Sequence, residues 1–259
     1  MTGSAIHCRD AGIRFARGSA RTRAITALRR AFGAPVDPNA STWALRHVDL
    51  DLPDGTRLGV CGKNGAGKTT LMRMLCGIYK PDEGEVSVRG ETSALLSLGT
   101  GIAFNLSGRR NVYVAGAVRG LSRAQIDACY ADVCAFAELD EAVMQTPVRH
   151  FSTGMRARLG FAISSVMTPD ILLVDELLSV GDAAFREKSA ARLEELAAEA
   201  RCVVISSHDL RFMREHCDRV LWLHEGRVMS TGDSGPVLDE YLRFLQAPGV
   251  GLSVTAGSR

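Results

Sequence analysis

Apolar and polar positions along the chain follow two periods. Residues 43–60 (WALRHVDLDLPDGTRLGV) put Val48, Leu50 and Leu52 on one face of a half-buried strand, break at the turn PDG, and resume in the apolar run from Leu58 to Cys61. That short run reads as a fully buried parallel strand. Residues 171–174 (ILLV) and 203–206 (VVIS) are two more uninterrupted buried strands, and 220–229 (VLWLHEGRVM) predicts a hairpin turning at Glu225-Gly226. Residues 5–15 predict an edge strand with a bend at Gly12, and 86–90 (VSVRG) a strand after the turn KPDEG. Helical spacing governs 68–79, through Leu71, Met74, Leu75 and Ile78, and 109–146, through Val112, Ala115, Val118, Ile126, Tyr130, Val133 and Phe136. Further helices are predicted over about 153–167 and from about Gly235 to Gln246. The last residues, 247–259, rich in Gly, Ser and Ala, read as a flexible tail.

Residues 16–42 break this pattern. Arg17, Arg21, Arg23, Arg29 and Arg30 lie there with no acidic residue between Asp10 and Asp37. Ile25, Leu28 and Phe32 fall at helical spacing before PVDPN stops the run. Two readings stand: a solvated surface insertion, or a basic helix touching anionic headgroups through residues 17–30.

Composition narrows the class without fixing the function. With 259 residues, 46% hydrophobic and 23% charged, the chain can bury a large α/β core. Thirty-one basic against 29 acidic residues leave +2, too little to argue for nucleic acid. No run of 18 uncharged apolar residues exists to span a bilayer, and Arg9 and Asp10 stand where a secretory leader needs its apolar stretch. The seven cysteines form no CxxC pair and several lie in apolar runs, as reduced core residues would. Only four residues are lysine, which draws attention to Lys68.

Residues 61–70 read CGKNGAGKTT, so Gly62, Lys63, Asn64, Gly65, Ala66, Gly67, Lys68, Thr69 and Thr70 form a G-x-x-x-x-G-K-[ST] loop between an apolar strand and an apolar-periodic helix. Glycines let backbone N–H groups turn inward around a phosphate, and the helix start adds partial positive charge. Lys68 supplies a full charge, and the Thr69 hydroxyl suits Mg²⁺. ILLVDE ends a buried strand in two carboxylates: Asp175 is placed to hold Mg²⁺, and Glu176 to act as a general base on water. SSHDL ends the VVIS strand in the same way, with His208 in reach of a terminal phosphate. Ser152, Thr153 and Gly154 open a helix whose first N–H groups make a second anion site. That site precedes Asp175 by 23 residues, so a second copy of the chain is the natural source of the phosphate it meets.

Here the chain resembles the nucleotide-binding subunit of ABC transporters. FSTGM resembles a variant of that family's signature, LLSVGD (177–182) its loop ending in Asp182, and His208 its switch histidine. HFSTGMRARLGFAI, LLSLGTGIAFNLSGRRNVY and LLSVGDAAFREK are most similar to the ATPases of polysaccharide exporters, which move O-antigen, capsule or teichoic acid. The resemblance implies a P-loop core with a mainly parallel sheet, an antiparallel β subdomain and a helical signature subdomain over about 109–167. It implies one nucleotide-binding domain over 1–246 that carries the 16–42 insertion. It also implies ATP and Mg²⁺ as ligands, a homodimer under a separate membrane permease in a two-plus-two transporter, no nucleic acid, and a place on the cytoplasmic face of the bacterial inner membrane. Catalytic roles fall to Glu176 and His208, and Ser152–Gly154 would meet the partner's ATP. Two departures accompany it. No Gln occurs within 71–124, where the family carries one, and the stretch 93–106 should occupy that place. The adenine-stacking aromatic is Phe15 by position, with Trp43 as the alternative. Rival readings are an ABC ATPase for another cargo (a drug, lipid or nutrient) and a soluble ABC ATPase outside transport.

Overall fold

The computed structural model describes residues 4–16, 41–95, 102–166, 169–175 and 182–247. The basic segment 17–40, the middle of the stretch expected to replace the missing glutamine (96–101), Glu176 and the tail beyond Ala247 lie outside them. The chain divides into two units, Met1–Ala5 with Pro53–Gly55 and Val88–Ile205, and Ile6–Leu52 with Thr56–Ser87 and Ser206–Arg259.

The second of these holds an antiparallel sheet of β1 (Ser4–Ala16), β2 (Ser41–Pro53) and β4 (Glu83–Val88), in the order β2-β1-β4. β1 is therefore the central strand and not an edge. The residues that flank it, Asp82 N–H donating to Gly12 O at 2.8 Å on one side and β2 on the other, come from distant parts of the chain. Nor is the bend at Gly12. Left-handed backbone falls at Asp10 (φ 48°), His47 (φ 54°) and Gly84 (φ 71°), one on each strand. The His47 Nδ1 lies 2.6 Å from Asp10 Oδ1, and Asp10 N–H donates to Asp49 Oδ1 at 2.8 Å, which holds the kink on both strands. A Cβ on Gly84 would stand 2.2 Å from Asp10 O. Gly12 instead makes room for the Trp43 ring, which a Cβ would approach to 2.9 Å.

The same unit contains β3 (Arg57–Cys61), parallel to β8 (Arg219–His224), which pairs antiparallel with β9 (Arg227–Asp233). The hairpin turns at Glu225-Gly226 as expected. Helix α1 (Lys68–Leu75) is shorter than its apolar spacing suggests, because the chain turns left-handed at Gly77 (φ 75°).

In the other unit, β5 (Thr92–Leu95) runs parallel to β6 (Ile171–Asp175), with β7 (Cys202–Ser206) next in order. β6 is buried along its whole length. The region 109–146 is three helices, not one: α2 (Gly108–Val118), α3 (Arg123–Ala137) and α4 (Glu141–Met144). Glu138 ends α3 in a left-handed conformation, and new starts are capped by Ser122, reciprocally with Gln125, and by Asp140, whose side chain accepts the Val143 N–H. Caps satisfy the donors that a helix start leaves open, so they outweigh the continuing apolar spacing. Helix α5 (Thr153–Ser165) follows. Helix α6 (Ala183–Glu199), missed by the pattern reading, buries Phe185, Ser189, Leu193 and Leu196, one or two turns apart. Under it Phe136, Phe161 and Phe185 meet with ring centroids 5.5–6.0 Å apart. Helices α7 (Leu210–His216) and α8 (Ser234–Gln246) belong to the unit with β3.

All seven cysteines are free thiols. Burial pushes Cys8 and Cys61 up to about 12 and Cys202 and Cys217 up to about 11, so these four carry no thiolate and are inert core residues. Among the described residues no helix is long and apolar enough to cross a membrane.

The kink makes a stability prediction. Gly84→Ala meets both a left-handed φ and a backbone oxygen, and should cost about 2–4 kcal/mol. Gly55→Ala (φ 86°, with no atom in Cβ range) should cost about 1 kcal/mol. Urea unfolding of the two variants reads the difference directly.

Candidate nucleotide site

The loop from Gly62 to Lys68 leaves the buried end of β3 and turns into α1. Its shape is fixed from outside. Gly226 N–H donates to Ala66 O at 2.9 Å, and Gly226 O accepts from Arg46 N–H at 2.8 Å, so the β8–β9 turn ties the loop to β2. Gly67 (φ 109°) has no space for a side chain, since a Cβ would lie 2.8 Å from Ala44 O. Within this frame Lys68 is only 8% exposed, and its ammonium donates to Gly62 O at 2.7 Å and to Lys63 O at 3.4 Å. A buried ammonium needs such partners, because desolvation of a charge is costly. The loop thus bends around a fixed cation at its centre.

This arrangement fits a polyphosphate. Helix α1 has no acidic residue in its first turn and no side chain capping its first N–H groups. The helix start thus carries no side-chain acceptor that would compete with an anion beside the Lys68 charge. Gly65 (φ 81°) meets nothing within 4 Å at its Cβ position, so the loop is open there. Lys63 lies 5.7 Å over the Phe244 ring of α8, which also packs edge-on to His224 at 4.8 Å. Sequence reasoning missed this aromatic support, because α8 follows the loop by far in the chain and shares no motif with it.

The other expected residues are placed as follows. Thr69 is exposed in the first turn of α1. His208 is exposed between β7 and α7, beside Asp209, which caps α7 and takes a hydrogen bond from Phe212 N–H at 2.9 Å. Phe15 is 43% exposed and meets Tyr79 edge-on at 5.4 Å. The guanidiniums of Arg14 and Arg46 lie over the Trp43 ring, 5.6 and 5.0 Å from its centroid. These residues share the unit of the loop.

In the other unit Asp175 is the last residue of β6 and is 7% exposed. Ser152 caps α5 and its Oγ accepts the Met155 N–H at 3.2 Å; Ser152 and Thr153 face solvent. Asp182 caps α6 through the Phe185 N–H at 2.9 Å and pairs with Arg158 of α5. The Phe185 N–H, with Arg158 adding to it, holds the Asp182 carboxyl below the usual carboxylate range. Arg158 escaped the motif reading, since its partners are 20 and 24 residues away in sequence.

The sequence profile of the ABC transporter family matches residues 45–179. The chain belongs to that family. It is 39% identical over 202 residues to the teichoic acids export ATP-binding protein TagH of Lactiplantibacillus plantarum, covering 78% of this chain and 55% of that protein. It is 39% identical over 198 residues to the O-antigen export system ATP-binding protein RfbB of Myxococcus xanthus, covering 76% and 45%. The chain thus spans about half the length of the curated relatives it matches. In fold it resembles the ATP-binding subunit of an ABC transporter (TM-score 0.69, 19% identity, 92% of this chain and 93% of that one). It also resembles a dimeric ATP-binding cassette in a post-hydrolysis state bound to ADP and Pi (TM-score 0.66, 19% identity, 88% and 98%). These similarities agree with the α/β architecture expected of the family, a parallel sheet joined by an antiparallel sheet and helices.

Replacing Lys68 removes the buried charge and strands the Gly62 carbonyl. Lys68→Ala should weaken ATP binding by about 10–100-fold, the worth of a charge-assisted hydrogen bond or two, in an equilibrium titration with a fluorescent ATP analogue.

Proposed function

We propose that this chain is the ATP-hydrolysing subunit of an ABC exporter that moves a polysaccharide or lipid-linked glycan across the cytoplasmic membrane. What carries the reading is the extended similarity to teichoic acid and O-antigen export ATP-binding proteins, together with a phosphate loop built around a buried lysine. Residues 1–246 act as one nucleotide-binding domain. Two copies dimerise beneath a separate permease, at the cytoplasmic face of the membrane, in a two-plus-two transporter.

Each residue then has a defined task. The loop N–H groups from Lys63 to Thr70 and the Lys68 ammonium bind the β- and γ-phosphates. Mg²⁺, when bound, neutralises phosphate charge, and Thr69 and Asp175 would hold it. The carboxylate of Glu176 accepts a proton from water as its oxygen attacks the γ-phosphorus and the bond to the ADP oxygen breaks. His208 orients that water against the γ-phosphate, and Phe15 stacks on the adenine. The partner's Ser152–Gly154 helix start closes on the same phosphate, so the closed site needs two copies. Asp182 shapes the approach of the two copies.

Two measurements test this. Glu176→Gln should retain ATP binding, accumulate as an ATP-bound dimer in light scattering, and hydrolyse at least about 100-fold more slowly. Full turnover by that variant would remove Glu176 from the mechanism. The tagged protein, withdrawn from its native membranes in mild detergent, should bring a permease and a lipid-linked glycan. Recovery of a permease with a different cargo would keep the ATPase and discard the glycan.

A further inference from the structure

Arg158 stands one turn beyond Gly154 on α5. Its guanidinium reaches in two directions at once: it donates to Glu138 Oε2 at 2.6 Å, and it pairs with Asp182 Oδ2. It also lies 5.3 Å over the Phe185 ring and is only 21% exposed in its side chain. Each of its carboxylate partners is itself fixed. Glu138 ends α3 in a left-handed conformation and is held a second time by the Lys188 ammonium at 3.3 Å. Asp182 uses its other oxygen to cap α6. Isolated surface ion pairs contribute little, but a planar fork between two anchored carboxylates, stacked on a ring, defines a geometry that a point charge does not.

We propose that Arg158 is a positioning residue that locks the start of α5 to the start of α6. The helix start that offers Ser152–Gly154 to a phosphate and the helix start capped by Asp182 then shift together. Asp182 follows Glu176 by six residues in sequence, so a displacement at the anion-binding end of α5 reaches the chain beyond the catalytic carboxylate within one side chain. The kinetic consequence rests on the ATP-hydrolase reading; the mechanical lock does not.

Four full-length variants separate the possibilities: Arg158→Gln, Asp182→Asn, the double variant, and Arg158→Lys. Asparagine is a good helix cap, so Asp182→Asn keeps the start of α6 and discharges the pair with Arg158. Each single neutral variant should lower kcat for ATP about tenfold, with KM within about twofold. The double variant should be no slower than the slower single one, since both break one contact. Arg158→Lys keeps the charge but cannot bridge both carboxylates, and should recover only part of kcat. In hydrogen exchange, Arg158→Gln should speed the amides of 152–156 and 182–186 together. An unchanged kcat, additive losses, or faster exchange at one helix start alone would overturn the lock. Absence of ATP turnover in the wild-type protein would instead overturn the hydrolase reading, and the exchange result would decide the lock by itself.

Discussion

A cation that is almost wholly removed from water constrains everything around it. The Lys68 ammonium must be surrounded by oxygen, and the carbonyls of Gly62 and Lys63 supply it. To turn those carbonyls inward the loop must curl back on itself. The curl presses Gly67 against Ala44 and hangs Ala66 O on the Gly226 N–H, which draws in the β8–β9 turn and β2. Strand, hairpin and helix in this unit are therefore arranged about one charge. A phosphate would be drawn to the same ammonium that the two carbonyls now surround, so stability and binding draw on one charge.

The two helix starts assigned to phosphate are built on different principles. α1 begins at a glycine, without a side-chain cap, in a crowded loop where the donors are held by backbone geometry. α5 begins at a serine that already takes one N–H, on an exposed corner. A donor set closed in by its own chain suits prolonged binding, whereas an exposed corner suits contact with something that comes and goes. That contrast agrees with a site completed by a second copy.

What the sequence made legible follows from range. The Gly62–Thr70 loop, the buried run at 171–174 and the Glu225-Gly226 hairpin are set by neighbours a few residues apart, and all were readable. The breaks between α2, α3 and α4 were also written locally, in Ser122–Gln125 and Asp140, yet the apolar spacing that runs through them masked the caps. The central place of β1, the Phe244 ring over Lys63 and the forked pairing of Arg158 depend on residues brought together from afar, and no spacing rule reveals them. Trp43 shows the same limit. As a letter it stands as the alternative to Phe15 for adenine, and only the structure shows two guanidiniums already over its ring.

The row of left-handed residues at His47, Asp10 and Gly84 acts as a detent between the three antiparallel strands. A strand pair without such a feature keeps its alignment through the turn that joins it, and a change in that turn slips every side chain to the opposite face. Here the alignment is notched into the strands themselves, by the His47–Asp10 pair and by the backbone that only a glycine at position 84 can meet. The connection from β1 to β2 is thereby relieved of any duty to set register. Its length and its run of arginines are free to be selected for purposes other than folding.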